Sequence, residues 1–153
     1  MTTFSTATAT NGEIGPLTQT VYDFCAAQGQ VLAAGVTRPE DWEPMSRYLS
    51  PDFKRVGAYL EELNYADYCD FLTGWAAGCE WEGSFKRITE APNLVILELE
   101  ERVRFGDFTS AVNSISVYEF NASGKLVHLD IYLQMALPDP ASLESYEGIQ
   151  ITE

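Results

Sequence analysis

The sequence predicts an α+β domain in which three N-terminal helices pack on a strongly curved antiparallel sheet. Three observations predict it. Apolar residues recur at helical spacing through the first half of the chain, and the period changes to two at Glu80. The strands after that point are joined by turns too short for anything but antiparallel pairing.

Leu17 to Gly35 carry Leu17, Val21, Phe24, Cys25, Val31 and Leu32 on one face, which predicts the first helix. Thr37-Arg-Pro-Glu40 reads as a Thr-x-x-Glu capping box with proline in the first turn. The helix it opens presents Trp42, Met45 and Leu49 and stops at Ser50-Pro51. Asp52 to Leu63 is less regular and has room for a short strand. Asn64 caps a third helix with Asp67 near its positive end. Tyr68, Phe71, Leu72, Trp75 and Cys79 give that helix its apolar face, and Gly78 marks its end.

Glu80–Ile88, Asn93–Phe105, Phe108–Phe120 and Lys125–Met135 read as four strands. Gly106-Asp107 is a tight turn, and Asn121-Ala-Ser-Gly124 places glycine where a positive φ is needed. In the second of these strands the apolar set is Val95, Leu97, Leu99, Val103 and Phe105, with Glu101 as its one carboxylate; Glu98, Glu100, Arg102 and Arg104 face the other way. In the last strand Val127, Leu129, Ile131, Leu133 and Met135 form the core set. Leu126, His128, Asp130, Tyr132 and Gln134 then lie outside. Val112, Ser114, Ser116, Tyr118 and Phe120 share one face of the strand between them. A β-bulge in any strand inverts part of these assignments.

With 153 residues, 46% of them hydrophobic, the chain suits one domain with an ample core. The expected organisation is a frayed terminus over 1–15, one domain over 16–136 and an acidic tail over 137–153. Nine Lys and Arg against 23 Asp and Glu give a formal net charge of −14, a surface that repels nucleic acid and anionic membranes. Three cysteines match no zinc spacing, and Cys25 and Cys79 fall on apolar stripes as buried free thiols, which suits a reducing compartment. The first fifteen residues have no basic start or apolar run, and no stretch approaches the roughly 20 residues of a membrane span, so a cytoplasmic location is expected.

Tyr118-Glu-Phe-Asn-Ala-Ser-Gly-Lys-Leu-Val resembles the last hairpin of ketosteroid isomerases, and Glu101-Arg102-Val103 resembles a strand motif of limonene epoxide hydrolases. Together with the element order from Leu17 to Met135, these motifs resemble the nuclear transport factor 2-like superfamily, whose cone-shaped α+β barrel also hosts small polyketide cyclases. The resemblance implies the cone-shaped fold more than an activity, since that fold hosts enzymes, binding modules and transport factors alike. Its catalytic residues do not carry over intact. The isomerase general base falls near Gly57 and its oxyanion-hole aspartate at Ser116. The catalytic tyrosine of the first helix falls near Phe24, with Tyr22 as a substitute. The cyclase aspartate falls at Ile131, one residue from Asp130, and the epoxide hydrolase Arg-x-Asp pairing is replaced by Arg102 and Arg104.

Glu101 is therefore the leading catalytic candidate, since a carboxyl group among apolar side chains suits general acid or base work. The alternative is a Glu bridged to a neighbouring Arg or hydroxyl. His128 and Asp130 form a competing pair if the strand is shifted by one residue; otherwise they belong to the outer face. Tyr22, Trp75, Leu99, Ser116 and Tyr118 are the candidate substrate contacts. One histidine and scattered acids give no metal-ligand cluster, and no phosphate-binding or nucleophile-elbow motif is present, so neither metal nor other cofactor is expected. The functional expectation is an enzyme moving a proton in an isomerisation, cyclisation or dehydration of a small apolar ring or polyketide-like molecule. A non-catalytic binding or assembly protein is the alternative.

A sheet covered on one side leaves its other face free, and here that face carries Tyr132, His128 and Gln134, residues common at interfaces. A homodimer through this face is expected. Tyr132→Glu then weakens the dimer by burying an unpaired charge, a change light scattering at micromolar concentration detects. A wild-type monomer under those conditions refutes the pairing.

Overall fold

Helix α1 (Pro16–Ala34) begins with proline at its first position, where a missing N–H costs nothing. Its end is marked by Gly35 at φ +89°, whose N–H returns to the Leu32 carbonyl. The computed structural model describes residues 3–5 and 14–136. Besides α1 they form β1 (Thr3–Ser5), a 3₁₀ turn (Pro39–Trp42), α2 (Glu43–Ser46), β2 (Leu49–Val56) and β3 (Glu62–Asn64). Then follow α3 (Tyr65–Ala76), β4 (Glu80–Ala91), β5 (Leu94–Phe105), β6 (Phe108–Phe120) and β7 (Leu126–Gln134).

The strands make one mixed sheet in the order β1-β4-β5-β6-β7-β2-β3. The expected meander from β4 to β7 is antiparallel throughout, as its short turns require. Among the described residues the sheet is neither wholly antiparallel nor a closed barrel: β2 runs parallel to β7, β1 runs parallel to β4, and β1 and β3 are its outermost strands. Thr3–Ser5 fall in the stretch expected to be frayed; their backbone instead extends the β4 edge. Residues 6–13 and the expected tail over 137–153 lie outside the described residues.

Two further corrections concern the helices. The second is a 3₁₀ turn followed by a single α turn that ends at Ser46, not a helix reaching Ser50. Pro44 removes a backbone donor, and the Tyr48 carbonyl accepts from the Leu126 N–H, so Leu49 is already in β2. Its entry is fastened by Asp41, whose carboxylate accepts the N–H groups of Thr37 and Arg38, where the sequence pattern pointed to Glu40. Cys79 lies past the end of α3 and is half-buried; Cys25 and Cys69 are the buried thiols, and all three are free. Asn64 caps α3 as expected, accepting the Asp67 N–H at 2.9 Å.

β-Bulges set which side chains face the helices. Between Phe85 and Arg87 the β4–β5 register shifts by one residue, so the inward set of β4 runs Trp81, Gly83, Phe85, Ile88. A second shift beside Glu119 leaves Val127 as the extra residue in β7. Leu126, assigned outward by alternation, is thereby buried at 1% exposure, while Met135 lies beyond the strand and is exposed.

Trp42 ties the helical layer together. It is fully buried, and its Nε1 donates to Thr73 Oγ1 at 3.0 Å, joining the 3₁₀ turn to α3. Trp42→Ala removes both the packing and the bond, and is expected to lower the unfolding free energy by about 3–5 kcal/mol. Urea denaturation measures it; an unchanged midpoint contradicts the role given to this side chain.

Candidate functional site

A cavity of about 290 Å³ lies between the helices and the inward sheet face, near the lower end of the range for small-molecule sites. Its floor is built in cross-strand rows. Val95, Tyr118, Leu129 and Arg55 pair successively across β5, β6, β7 and β2. The next rows are Leu97, Ser116 and Ile131, then Leu99, Ser114 and Leu133, and beyond these Glu101 opposite Val112. Of these rows, Leu97, Leu99, Glu101, Ser116, Tyr118, Leu129, Ile131, Leu133 and Arg55 line the cavity. The lining is mostly apolar, with polar groups at two ends.

At one end stands Glu101. Its Oε2 accepts from Trp81 Nε1 at 2.7 Å and its Oε1 from Ser114 Oγ at 2.5 Å. Two donors fix the carboxylate plane, while a carboxylate has about four lone-pair directions in all, so acceptor capacity remains. Gly83 makes this geometry accessible. It is the direct partner of Glu101 across β4–β5, and a Cβ there would lie 2.3 Å from the Trp81 ring. Only a residue without a side chain lets the indole lie flat across the strand and reach Glu101. Trp75 of α3 holds the other side of the indole, edge to face at 6.5 Å.

Toward the other end, Tyr118 meets Phe24 edge-on, and its hydroxyl lies 3.9 Å from Cys25 Sγ. Burial pushes the Cys25 thiol up to about 12 and the Tyr118 hydroxyl well above its ordinary value. Both are thus neutral at physiological pH and offer protons for hydrogen bonds; the thiol is no nucleophile. Gln28 Nε2 donates to the Tyr68 hydroxyl at 3.0 Å, and burial raises that phenol too.

Arg55 was not singled out by the sequence. Its guanidinium stacks 5.3 Å from the centre of the Tyr68 ring and 5.2 Å from that of Phe71. Its Nη1 forms an ion pair with Glu61 Oε1 at 3.5 Å but closes no hydrogen bond. Burial pushes the Glu61 carboxyl upward, but backbone N–H groups of Glu61 and Tyr59, the Arg55 charge and the close approach of its guanidinium outweigh it, leaving the group below its usual range. Exposed Tyr59, from the same hairpin, and Phe71 edge the cavity here. The signal that would have found Arg55 is its alternation with Phe53 on an inward strand face, visible once β2 is known to be a strand.

Of the candidate residues, Glu101, Trp75, Leu99, Ser116 and Tyr118 line this one cavity. Tyr22 does not reach it; the ring stacks on Phe85 at 6.1 Å, and Phe24 takes the cavity wall. His128 and Asp130 bond to each other at 2.8 Å on the opposite face of the sheet. On that face Arg102 is engaged by Glu82 and Glu100, and Arg104 by Glu80, within the same chain. Phe71, expected against the sheet, is 42% exposed. Among the described residues no group of three or more His, Cys, Asp or Glu is placed to hold a metal ion, and no helix is long and apolar enough to cross a membrane.

No family model matches the sequence, and no curated protein does. Solved structures do match. An NTF2-like protein of unknown function from Burkholderia pseudomallei K96243 superposes with a TM-score of 0.64 at 13% identity, over 78% of this chain and 92% of that one. The fold is the nuclear transport factor 2-like fold. An LEH-like epoxide hydrolase of M. tuberculosis shares it at TM-score 0.55 and 16% identity, over 74% and 84% of the two chains. A protein described as a SnoaL-like polyketide cyclase, from Jannaschia sp. CCS1, shares it at TM-score 0.62 and 12% identity, over 80% and 90% of the two chains. At such identities the NTF2-like likeness speaks for architecture and leaves chemistry to the site.

The raised Cys25 value has a consequence for stability. Above the ordinary thiol value of 9.0 the unfolded chain releases this proton while the folded chain keeps it until about 12. The unfolded state then binds fewer protons, so stability falls with rising pH, by up to about 1.4 kcal/mol per unit. Cys25→Ala is expected to flatten the decline of the urea midpoint above about pH 9. Parallel curves for the two proteins would exclude a buried thiol at this position.

Proposed function

We propose that this protein is a cofactor-independent enzyme that moves a proton in the isomerisation, cyclisation or dehydration of a small, mostly apolar ring or polyketide-like molecule. The observation that carries this reading is Glu101: a carboxylate held by Trp81 and Ser114 at the end of an apolar cavity. Its free lone pairs take the proton from an activated carbon of the ring. Ser116 faces the same cavity as a donor for an oxygen that gains charge as the proton leaves, and the neutral Tyr118 hydroxyl, farther along, is a donor to the body of the bound molecule. Apolar walls exclude water and strengthen both interactions. That structural neighbours include proteins described as an epoxide hydrolase and a polyketide cyclase supports the class of site.

The binding reading has one observation in its favour: Glu101, Tyr118 and Tyr68 already have hydrogen-bond or close polar partners within the chain. Deuterium exchange separates the two. A bicyclic ketone such as 2-tetralone, incubated with the protein in D₂O, is expected to gain deuterium next to its carbonyl faster than in buffer, as mass spectrometry reads. Glu101→Gln should lower that rate roughly 10²–10⁴-fold while leaving the melting temperature near wild type. Ketone that binds without accelerated exchange would favour the non-catalytic reading, and unchanged exchange in the variant would remove Glu101 from the mechanism.

A further inference from the structure

We infer that the cavity's occupant carries a carboxylate, received by Arg55 at the end away from Glu101. Among the described residues, Arg55 Nη1 is the buried side-chain nitrogen or oxygen that has no hydrogen-bond partner. A buried donor left unpaired is costly, and buried polar groups in native proteins are nearly always satisfied. The cost here falls on a charged group that also lines the cavity.

The surroundings say what kind of group satisfies it. Tyr68 and Phe71 stack on the guanidinium, so its plane is fixed and its N–H edge is what remains to be offered. A planar fork of donors matches a planar pair of acceptors, and a carboxylate fits it in bidentate fashion. Glu61 shows the preference within the chain itself, since its carboxylate has approached to 3.5 Å without closing a hydrogen bond. That carboxylate is held back by the Tyr59 N–H at 2.9 Å, within a hairpin closed by the Gly57–Glu61 backbone bond. Gly57 lets the carboxylate settle there: a Cβ at this position would lie 1.7 Å from Glu61 Oε1. Arg55 therefore lines the cavity with an ion pair to Glu61 on one side and no hydrogen bond closed at Nη1.

Position gives the ligand its polarity. Arg55 shares a cross-strand row with Tyr118, and two rows separate that row from the one containing Glu101. An acid-bearing ring molecule would lie with its carboxylate at Arg55, its apolar body over Leu97, Leu99 and Ile131, and its far carbon toward Glu101. On a chain of net charge −14, a buried cation is what makes an anionic ligand acceptable.

This rests on the cavity being the ligand site but not on Glu101 moving a proton, so the test reads binding rather than turnover. Calorimetric titration with 2-naphthoate and with its neutral isostere 2-naphthamide supplies it. Wild type is expected to bind the carboxylate about tenfold or more tighter than the amide. Arg55→Met should abolish that preference and keep the amide affinity. Glu61→Gln, at the surface hairpin, should sharpen the preference severalfold by removing the competing carboxylate, and it serves where Arg55→Met does not fold. Glu101→Gln should retain the preference even where proton transfer is lost. Equal affinity for the two probes, no saturable binding of the naphthoate, or a preference that survives Arg55→Met would each overturn the assignment.

Discussion

The contact on which the site depends is the hydrogen bond from Trp81 to Glu101 across Gly83. A glutamate on an inward strand face can swing toward the mouth of a cavity or fold back along its own strand. Here the indole pins one oxygen and Ser114 pins the other. That costs the protein a glycine in the middle of a strand, where flexibility and the lack of packing are otherwise unfavourable. The loss is offset because the Trp81 ring fills the space over Gly83 and then meets Trp75. Helix α3, strand β4 and the carboxylate are in this way one mechanical unit, and a disturbance in any of them reaches Glu101.

Much of the architecture was legible because local signals and global arrangement agree. The β6 limits, the Gly106 and Gly124 turns and the Asn64 cap each follow from side-chain chemistry acting over a few residues. Glu101 was legible for the same reason: it interrupts an apolar face, and alternation alone places it inward. What escaped was long-range. Pairing between β2 and β7 draws Leu49 out of a helical pattern, and only that pairing reveals Arg55 as a cavity residue. The bulge at Val127 depends on how β6 and β7 settle against one another, and it reverses the assignment of Leu126. Tyr22 and Phe24 are equally aromatic and two residues apart, so helix rotation decides between them, and rotation is set by Phe85 and Tyr118 on distant strands.

The outer face illustrates a different limit. Charges written on alternate residues of β5 could serve another chain or their own neighbours. Register decides: Glu80 stands opposite Arg104 and Glu82 opposite Arg102. Each exposed pair of this sort is worth little, yet together they leave the β4–β5 half of that face with its ion pairs closed within the chain. Any association through this side of the sheet draws instead on the half carrying Ile115 and Tyr132, whose apolar surface is exposed.

The cavity is polar in an uneven way, and the unevenness is informative. Tyr68 is satisfied by Gln28, Tyr118 is accompanied by Cys25 and burial keeps both of that pair neutral, and Glu101 is doubly bonded. Such groups are pre-set: they hold position without a ligand and need no rearrangement when one arrives, the condition under which a fixed dipole helps a charge that develops in a reaction. Arg55 is the opposite case, stacked and ion-paired with Glu61 but without a hydrogen bond at Nη1. A site that combines settled groups along its floor with an unsettled cation at one end has a direction. On the proposed reading, the cation would hold the molecule by a group that takes no part in the reaction, and the oriented carboxylate would meet it at the far end. Binding energy gained at the remote end would then be available to position the reacting carbon.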